Sequence, residues 1–347
     1  PPRRPPAPEH TFAGWDVGEA KTPEEKAEGL RSTQPGRLGA DSFEPDASIS
    51  LRRFARCFQG ISTGDNPRRT AFFWEFPEPD GWSFLQLPPE TSTFVTGRNS
   101  VLSNAVLNDH FREGAVRGRE AWGNKGIAIA RIRSLAASLY DGDYFVNTIP
   151  VIIPDDPANL SAIWSFAESG EFQAAVSSVS QALSIDNGYL EKIPFDLAYW
   201  QRVAAEKYPN GLPKPHSDDP TQWLFNGHPK GSDHPLQVAV ARLVGYRWPR
   251  QTGSSFPDCP ALGPDGLEKH ADADGIVPLA SIAGEASAAD RLRALLADAY
   301  GAEWSAARLK ELLGNWPSLE DWLRDGFFEE HCRIFHQRPF VWHIWDG

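Results

Sequence analysis

The sequence predicts an α+β protein in which a mixed sheet is followed by a mainly helical C-terminal domain, and three observations carry that reading. Between residues 49 and 156, short apolar runs rich in aromatic and β-branched side chains are separated by Gly, Pro and Asn. From Pro157 the apolar positions fall at helical spacing. Beyond residue 234 helical stripes dominate, interrupted by one long stretch of Gly and Pro.

Residues 1–48 are rich in Pro, Glu, Lys and Gly, and only Thr22-Pro23-Glu24-Glu25-Lys26 reads as a helix start, so this part is expected to be a linker or lead-in. A first domain is expected over 49–204. It opens with strands at 54–58, 71–76, 82–87, 126–132 and 145–153, the last β-branched enough to be buried. Asp155-Asp156-Pro157 then supplies acids and a proline at a helix start, and Ile163, Phe166, Ala167, Phe172, Val176 and Val179 keep helical spacing to about residue 183. A short strand at 189–193 leads to a helix with Leu197, Trp200, Val203 and Ala204 on one face. The second domain, 205–347, begins with a loop region to 234 and carries helices at 235–246, 287–300, 303–314 and 318–335. Between the first two of these, Pro249 to Pro278 is too rich in Gly and Pro to be regular, and no internal repeat is present.

Bulk properties narrow the function. No run of eighteen apolar residues could span a bilayer and no signal segment opens the chain, so a cytoplasmic protein with no membrane partner is expected. Cys57, Cys259 and Cys332 lie far apart and suggest neither a disulfide framework nor a zinc site. The formal charge of −12 argues against nucleic acid on its face. Over residues 50–140, however, twelve Lys and Arg against eight acids leave +4, so the remainder carries −16. Eleven of those twelve cations are Arg, the residue best suited to bidentate recognition of phosphates and base edges.

Motifs for catalysis are missing. GxGxxG, GxxxxGK[ST], HExxH and GxSxG do not occur, so no metal site and no catalytic residue is assigned. Pro264-Asp265-Gly266-Leu267-Glu268-Lys269 has a faint likeness to the acid, acid and Lys set of metal-dependent nucleases, with the wrong final spacing. His331 and His336 are five apart and point to different faces of a helix, so a helix end followed by a buried strand is expected there in place of a metal site. Asp155-Asp156 reads as compensation of a helix dipole. The run Phe58-Gln59-Gly60-Ile61-Ser62-Thr63-Gly64-Asp65-Asn66-Pro67 fits either an anion-binding nest or a plain change of direction.

Five phrases weigh on that choice: FARCFQGISTGDNPR (54–68), EAWGNKGIAIARIRSL (120–135), VNTIPVIIPDDPANLSAIWSF (146–166), LEKIPFDLAYWQRVAAEKYPNGLPKPHSDDPTQWLFNGHP (190–229) and WLRDGFFEEHCRIFHQRPFVWHIWDG (322–347). In this order they resemble the target-recognition domain and C-terminal region of large adenine-N6 DNA methyltransferases, the type IIG restriction–modification enzymes and related phage-defence methylases. The resemblance covers nearly all of residues 50–347. It implies a target-recognition domain that binds double-stranded DNA, opening at the turn with Thr63, Gly64 and Asn66. It also implies that Arg98, Arg117, Arg119, Trp122, Lys125, Arg131 and Arg133 grip the duplex, with Arg112 beside them, and that replacing Lys125 or Arg131 weakens binding.

In that family an S-adenosylmethionine pocket and an Asn/Asp-Pro-Pro-aromatic tetrapeptide perform the methyl transfer. Here the Pro doublets stand at 1–2, 5–6 and 88–89, none after Asn or Asp, so no cofactor is expected in this chain. A methyltransferase catalytic domain is expected as partner in cis or in trans. The absence of Met and the abrupt opening on Pro1 lead us to expect a fragment of a longer chain. A freestanding specificity subunit that recruits a separate methylase, or a nuclease within 205–280, are the alternative readings.

Overall fold

The structure, a computed structural model, describes residues 22–25, 27–28, 50–76, 80–108, 114–132, 135–179 and 185–344. Residues 23–25 and 27–28 are helical (α1). Their start is the capping box that the sequence suggests: Glu25 N–H donates to Thr22 Oγ1 at 3.1 Å and Thr22 N–H to Glu25 Oε2 at 3.3 Å.

Two four-stranded sheets follow. The first has the order β1 (Ala55–Gln59), β8 (Pro150–Pro154), β5 (Gly126–Ile129), β6 (Ala137–Tyr140), with every pair antiparallel. The second has the order β2 (Thr70–Phe72), β4 (Ser100–Ser103), β3 (Trp82–Gln86), β7 (Tyr144–Phe145) and is mixed, because β7 runs parallel to β3.

Period-two alternation sorts the side chains into layers. Ala128, Tyr140 and Val151 of the first sheet meet Leu85, Leu102 and Phe145 of the second in a core between the sheets. Their strand neighbours Ile127, Ile129, Leu139 and Ile152 point the other way. There they pack on Trp164 and Phe166 of α3 (Leu160–Ala167) and Trp200 of α6 (Leu197–Lys207). Across the second sheet, Val101 joins Phe73 and Trp74 in a further core. Its other walls are α7 (Pro235–Leu243), α8 (Ala288–Tyr300), α9 (Ala306–Leu313), α10 (Leu319–Asp321) and α11 (Phe327–Ile334). Sheet strands are therefore covered on both faces, which explains their apolar runs. The class is α+β, as expected.

Several elements differ from expectation for identifiable reasons. β2 stops at Phe72, where Glu75 Oε2 accepts the Phe72 N–H at 2.8 Å and a 3₁₀ turn, Phe73–Glu75, swings Phe73 and Trp74 into the helical core. The segment read as one strand over 145–153 changes sheets: β7 ends at Phe145 and a turn delivers the chain to β8. The helix expected to run to about 183 breaks at Ser169, whose hydroxyl donates to Phe166 O at 2.7 Å, and α4 (Gly170–Val179) starts after it.

Residues 189–193 are no strand. Residues 189–192 belong to α5 (Asn187–Lys192), with Ile193 just past its end; the helix buries Leu190 and covers the open edge of β1, with Glu191 Oε1 accepting the Cys57 N–H at 2.9 Å. The final helix contains a π turn at Trp322–Gly326, and no strand follows it among the described residues. His331 is fully buried there, its Nδ1 3.2 Å from Gln237 Oε1 and its Nε2 accepting the Val341 N–H at 3.2 Å. Among the described residues no helix is long and apolar enough to cross a membrane.

Candidate nucleic-acid interface

The Gly-rich turn leaves β1 at Gly60, where a Cβ would lie 2.2 Å from Phe145 O and 2.6 Å from Val146 O, so only glycine lets the two strands close. Ile61 then bonds through its N–H to Phe145 O (2.7 Å) and through its carbonyl to the Asn147 N–H (2.9 Å). Ser62 exchanges both backbone hydrogen bonds with Ala115, each 2.9 Å long. Thr63 is buried and its hydroxyl donates to Asn66 Oδ1, so these two side chains close the turn on itself. Gly64 and Asn66 are exposed, and the short helix α2 (Asn66–Arg69) presents Arg68 to solvent.

The Ser62–Ala115 bridge lays the segment after residue 114 against this turn. Arg117 is exposed and donates from Nη1 to Gln59 Oε1 at the end of β1, 2.9 Å away. Arg119, also exposed, places its guanidinium carbon 5.2 Å from the centre of the Trp122 ring, which itself stands edge-on to Tyr144 at 4.6 Å. The loop is tied back by the Gly123 N–H to Gly142 O, at 2.9 Å. The bridge thus sets the loop carrying exposed Arg117 and Arg119 beside the turn that leads into α2 and exposed Arg68. Arg68 joins the cations expected to grip the duplex, and the Asn66-Pro67 helix start is the sequence signal for its exposure.

The remaining expected contacts differ in burial and partners. Arg98 is fully buried between the sheets and the C-terminal core. Its Nη2 meets Asp141 at 2.7 Å and Leu139 O at 2.8 Å, and its Nε donates to Gln86 Oε1 at 3.1 Å, so it cannot grip DNA. Arg131 is turned inward: Nε reaches Ile185 O at 3.0 Å, Nη1 reaches Asn147 O at 3.3 Å, and Nη2 pairs with Asp186. These contacts staple the end of β5 to the start of α5 and leave the Arg131 side chain 21% exposed. Lys125 is exposed but pairs with Asp258. Arg133 and Arg112 lie outside the described residues.

The nuclease reading loses its nominated residue. Asp265 takes both Nη atoms of buried Arg242, at 2.7 and 2.9 Å, and the Leu267 N–H at 3.0 Å. Burial alone would raise its carboxyl, but these hydrogen bonds and the Arg242 charge hold it down at about 2. Lys269 pairs with Asp298, and no group of three potential metal ligands occurs among the described residues.

The Pro doublet at 88–89 lines a cleft without the Asn or Asp that precedes it in an Asn/Asp-Pro-Pro-aromatic tetrapeptide. A cleft of about 820 Å³ holds Pro88 and Pro89, but Leu87 precedes them and Glu90 follows. Gly97, the one glycine lining that cleft, would place a Cβ 2.4 Å from Leu87 O, so its space is taken by the chain itself. No protein-family model matches this chain, and no curated protein matches it in sequence.

Proposed function

We propose that this chain is the DNA-recognition portion of a site-specific adenine-N6 DNA methyltransferase of the restriction–modification or phage-defence kind. It grips duplex DNA for methyl transfer from S-adenosylmethionine by a catalytic domain supplied in cis or in trans. The observation that carries the reading is the two-bond bridge between Ser62 and Ala115, which sets the loop bearing exposed Arg117 and Arg119 beside the turn that leads to exposed Arg68, in a chain whose net charge is −12. A cationic edge on an acidic protein concentrates attraction for a polyanion in one place.

Rigid backing supports the same reading. Arg117 is oriented by Gln59 and Arg119 by Trp122, so less side-chain freedom is lost when a phosphate or base edge is bound. The S-adenosylmethionine chemistry of the proposed enzyme resides outside this chain, and no step of it is assigned to these residues.

Binding of a fluorescent duplex, followed by anisotropy across about 50 to 200 mM salt, tests the reading. The double variant Arg117→Ala/Arg119→Ala is expected to weaken binding at every salt concentration and to flatten the slope of log K against log salt by about 2, from about 0.9 per released phosphate. An unchanged slope would overturn the assignment of this edge.

A further inference from the structure

Phe256-Pro257-Asp258-Cys259 forms a reverse turn closed by hydrogen bonds between Phe256 and Cys259, at 2.8 and 2.9 Å. Pro stands at its second position and a left-handed residue at its third, the pattern that favours glycine or asparagine at the third. Asp258 occupies that position with φ +58°. Both ends of the turn are anchored: the Phe256 ring lies 4.8 Å from Phe84 and 6.3 Å from Trp223, and the Cys259 thiol donates to Pro215 O at 2.8 Å. The turn is therefore a fixed peg with a carboxylate at its tip. That carboxylate accepts from Lys125 Nζ, 133 residues earlier in the chain, on the loop that follows Arg119 and Trp122.

We infer that Asp258 is a built-in phosphate mimic, a carboxylate that the C-terminal domain holds against Lys125 until a backbone phosphate of bound DNA replaces it. This rests on the DNA-recognition reading above. Three features support it. A left-handed aspartate gives up backbone stability that a glycine would keep, and strain of this kind at an anchored turn tip gathers at functional positions. The pair is half-exposed, at 48% and 43%, so it contributes little to folding and a phosphate can reach it. Its anionic partner comes from the part of the chain carrying the excess of acids, so each lobe neutralises the other until DNA arrives.

The test compares wild type, Asp258→Asn and Lys125→Gln in the same anisotropy titration on the full chain. Asn tolerates the left-handed backbone, so the turn is retained. Asp258→Asn is expected to tighten DNA binding several-fold with the salt slope unchanged, because Lys125 meets the same phosphate in both complexes and only the competing carboxylate is lost. In the Lys125→Gln background the same change is expected to give no such gain in affinity. Duplex binding by wild type with identical affinity in Asp258→Asn overturns the inference while leaving the recognition reading in place. Absence of duplex binding in wild type and both variants overturns the recognition reading itself, and the inference with it.

Discussion

Replacing Arg98 with Met is expected to lower the free energy of unfolding by about 3–5 kcal/mol, read as a drop in the urea midpoint with little change in slope. The guanidinium is the joint of the molecule. The Arg98 backbone N–H donates to Gln222 Oε1 at 2.8 Å, its backbone carbonyl accepts the Trp223 N–H at 2.8 Å, and its side chain binds β3 through Gln86, the end of β6 through Leu139 O, and Asp141. Removing it strands the Asp141 carboxylate, whose side chain is 7% exposed, without a counter-charge. A buried charge left alone costs far more than the pair contributed, so the second change Asp141→Asn should recover a large part of the loss. Arg131 provides the contrast. Its partner Asp186 is 69% exposed, and removing that pair should cost no more than about 1 kcal/mol. An Arg98→Met protein that folds with unaltered stability but binds DNA weakly would return Arg98 to the interface.

The burial of Arg98 was not legible in the sequence, and the reason is physical. Thr96-Gly97-Arg98-Asn99-Ser100 has the composition of a surface turn, and the groups that bind Nε and Nη2 of the guanidinium come from β3, β6 and the segment after it, brought together only by the stacking of two sheets. Distance in sequence hid Lys125 and Arg131 in the same way, since Asp258 and Asp186 reach them from other elements. What was legible had a local cause. The helix start at Thr22, the strands near 55–59 and 82–86, and the stripe of Leu292, Leu295 and Leu296 on α8 follow from capping, alternation and periodicity within one segment. β4 (Ser100–Ser103) and β6 (Ala137–Tyr140) stand where the sequence predicts no strand, and each is paired by neighbours distant in sequence. α5 was misread as a strand because Tyr189, Leu190 and Ile193 suit either state, and the edge of β1 decided between them.

Asp143 should make the protein more stable in mild acid than its other titrations allow. It shares the Arg98 site with Asp141, so one guanidinium faces two carboxylates. Burial is the larger force and the Asp141 charge adds to it, together outweighing Arg98 and raising the Asp143 carboxyl from 3.8 to about 6. The sign follows from linkage. A group whose folded-state pKa is raised contributes stability that is fully present below the unfolded pKa, near 3.8, and is lost as pH rises through about 6. Asp143→Asn, which keeps the neutral shape at every pH, should therefore match wild type near pH 3.8 and exceed it by about 2–3 kcal/mol above pH 7.

His331 works in the opposite direction. Burial lowers it from 6.5 to about 4, so its contribution is present above 6.5 and is lost as pH falls through 4. In wild type the two titrations oppose each other between about pH 4 and 6, and a single stability profile would conceal both. Subtracting the wild-type profile from that of Asp143→Asn removes His331, because both proteins carry it. The difference should then rise with pH across this window and level off above about 7. A difference that stays constant from pH 4 to pH 7.5 would mean that Asp143 ionises in the folded protein as freely as in the unfolded chain. The charge balance at Arg98 would then rest on Asp141 alone.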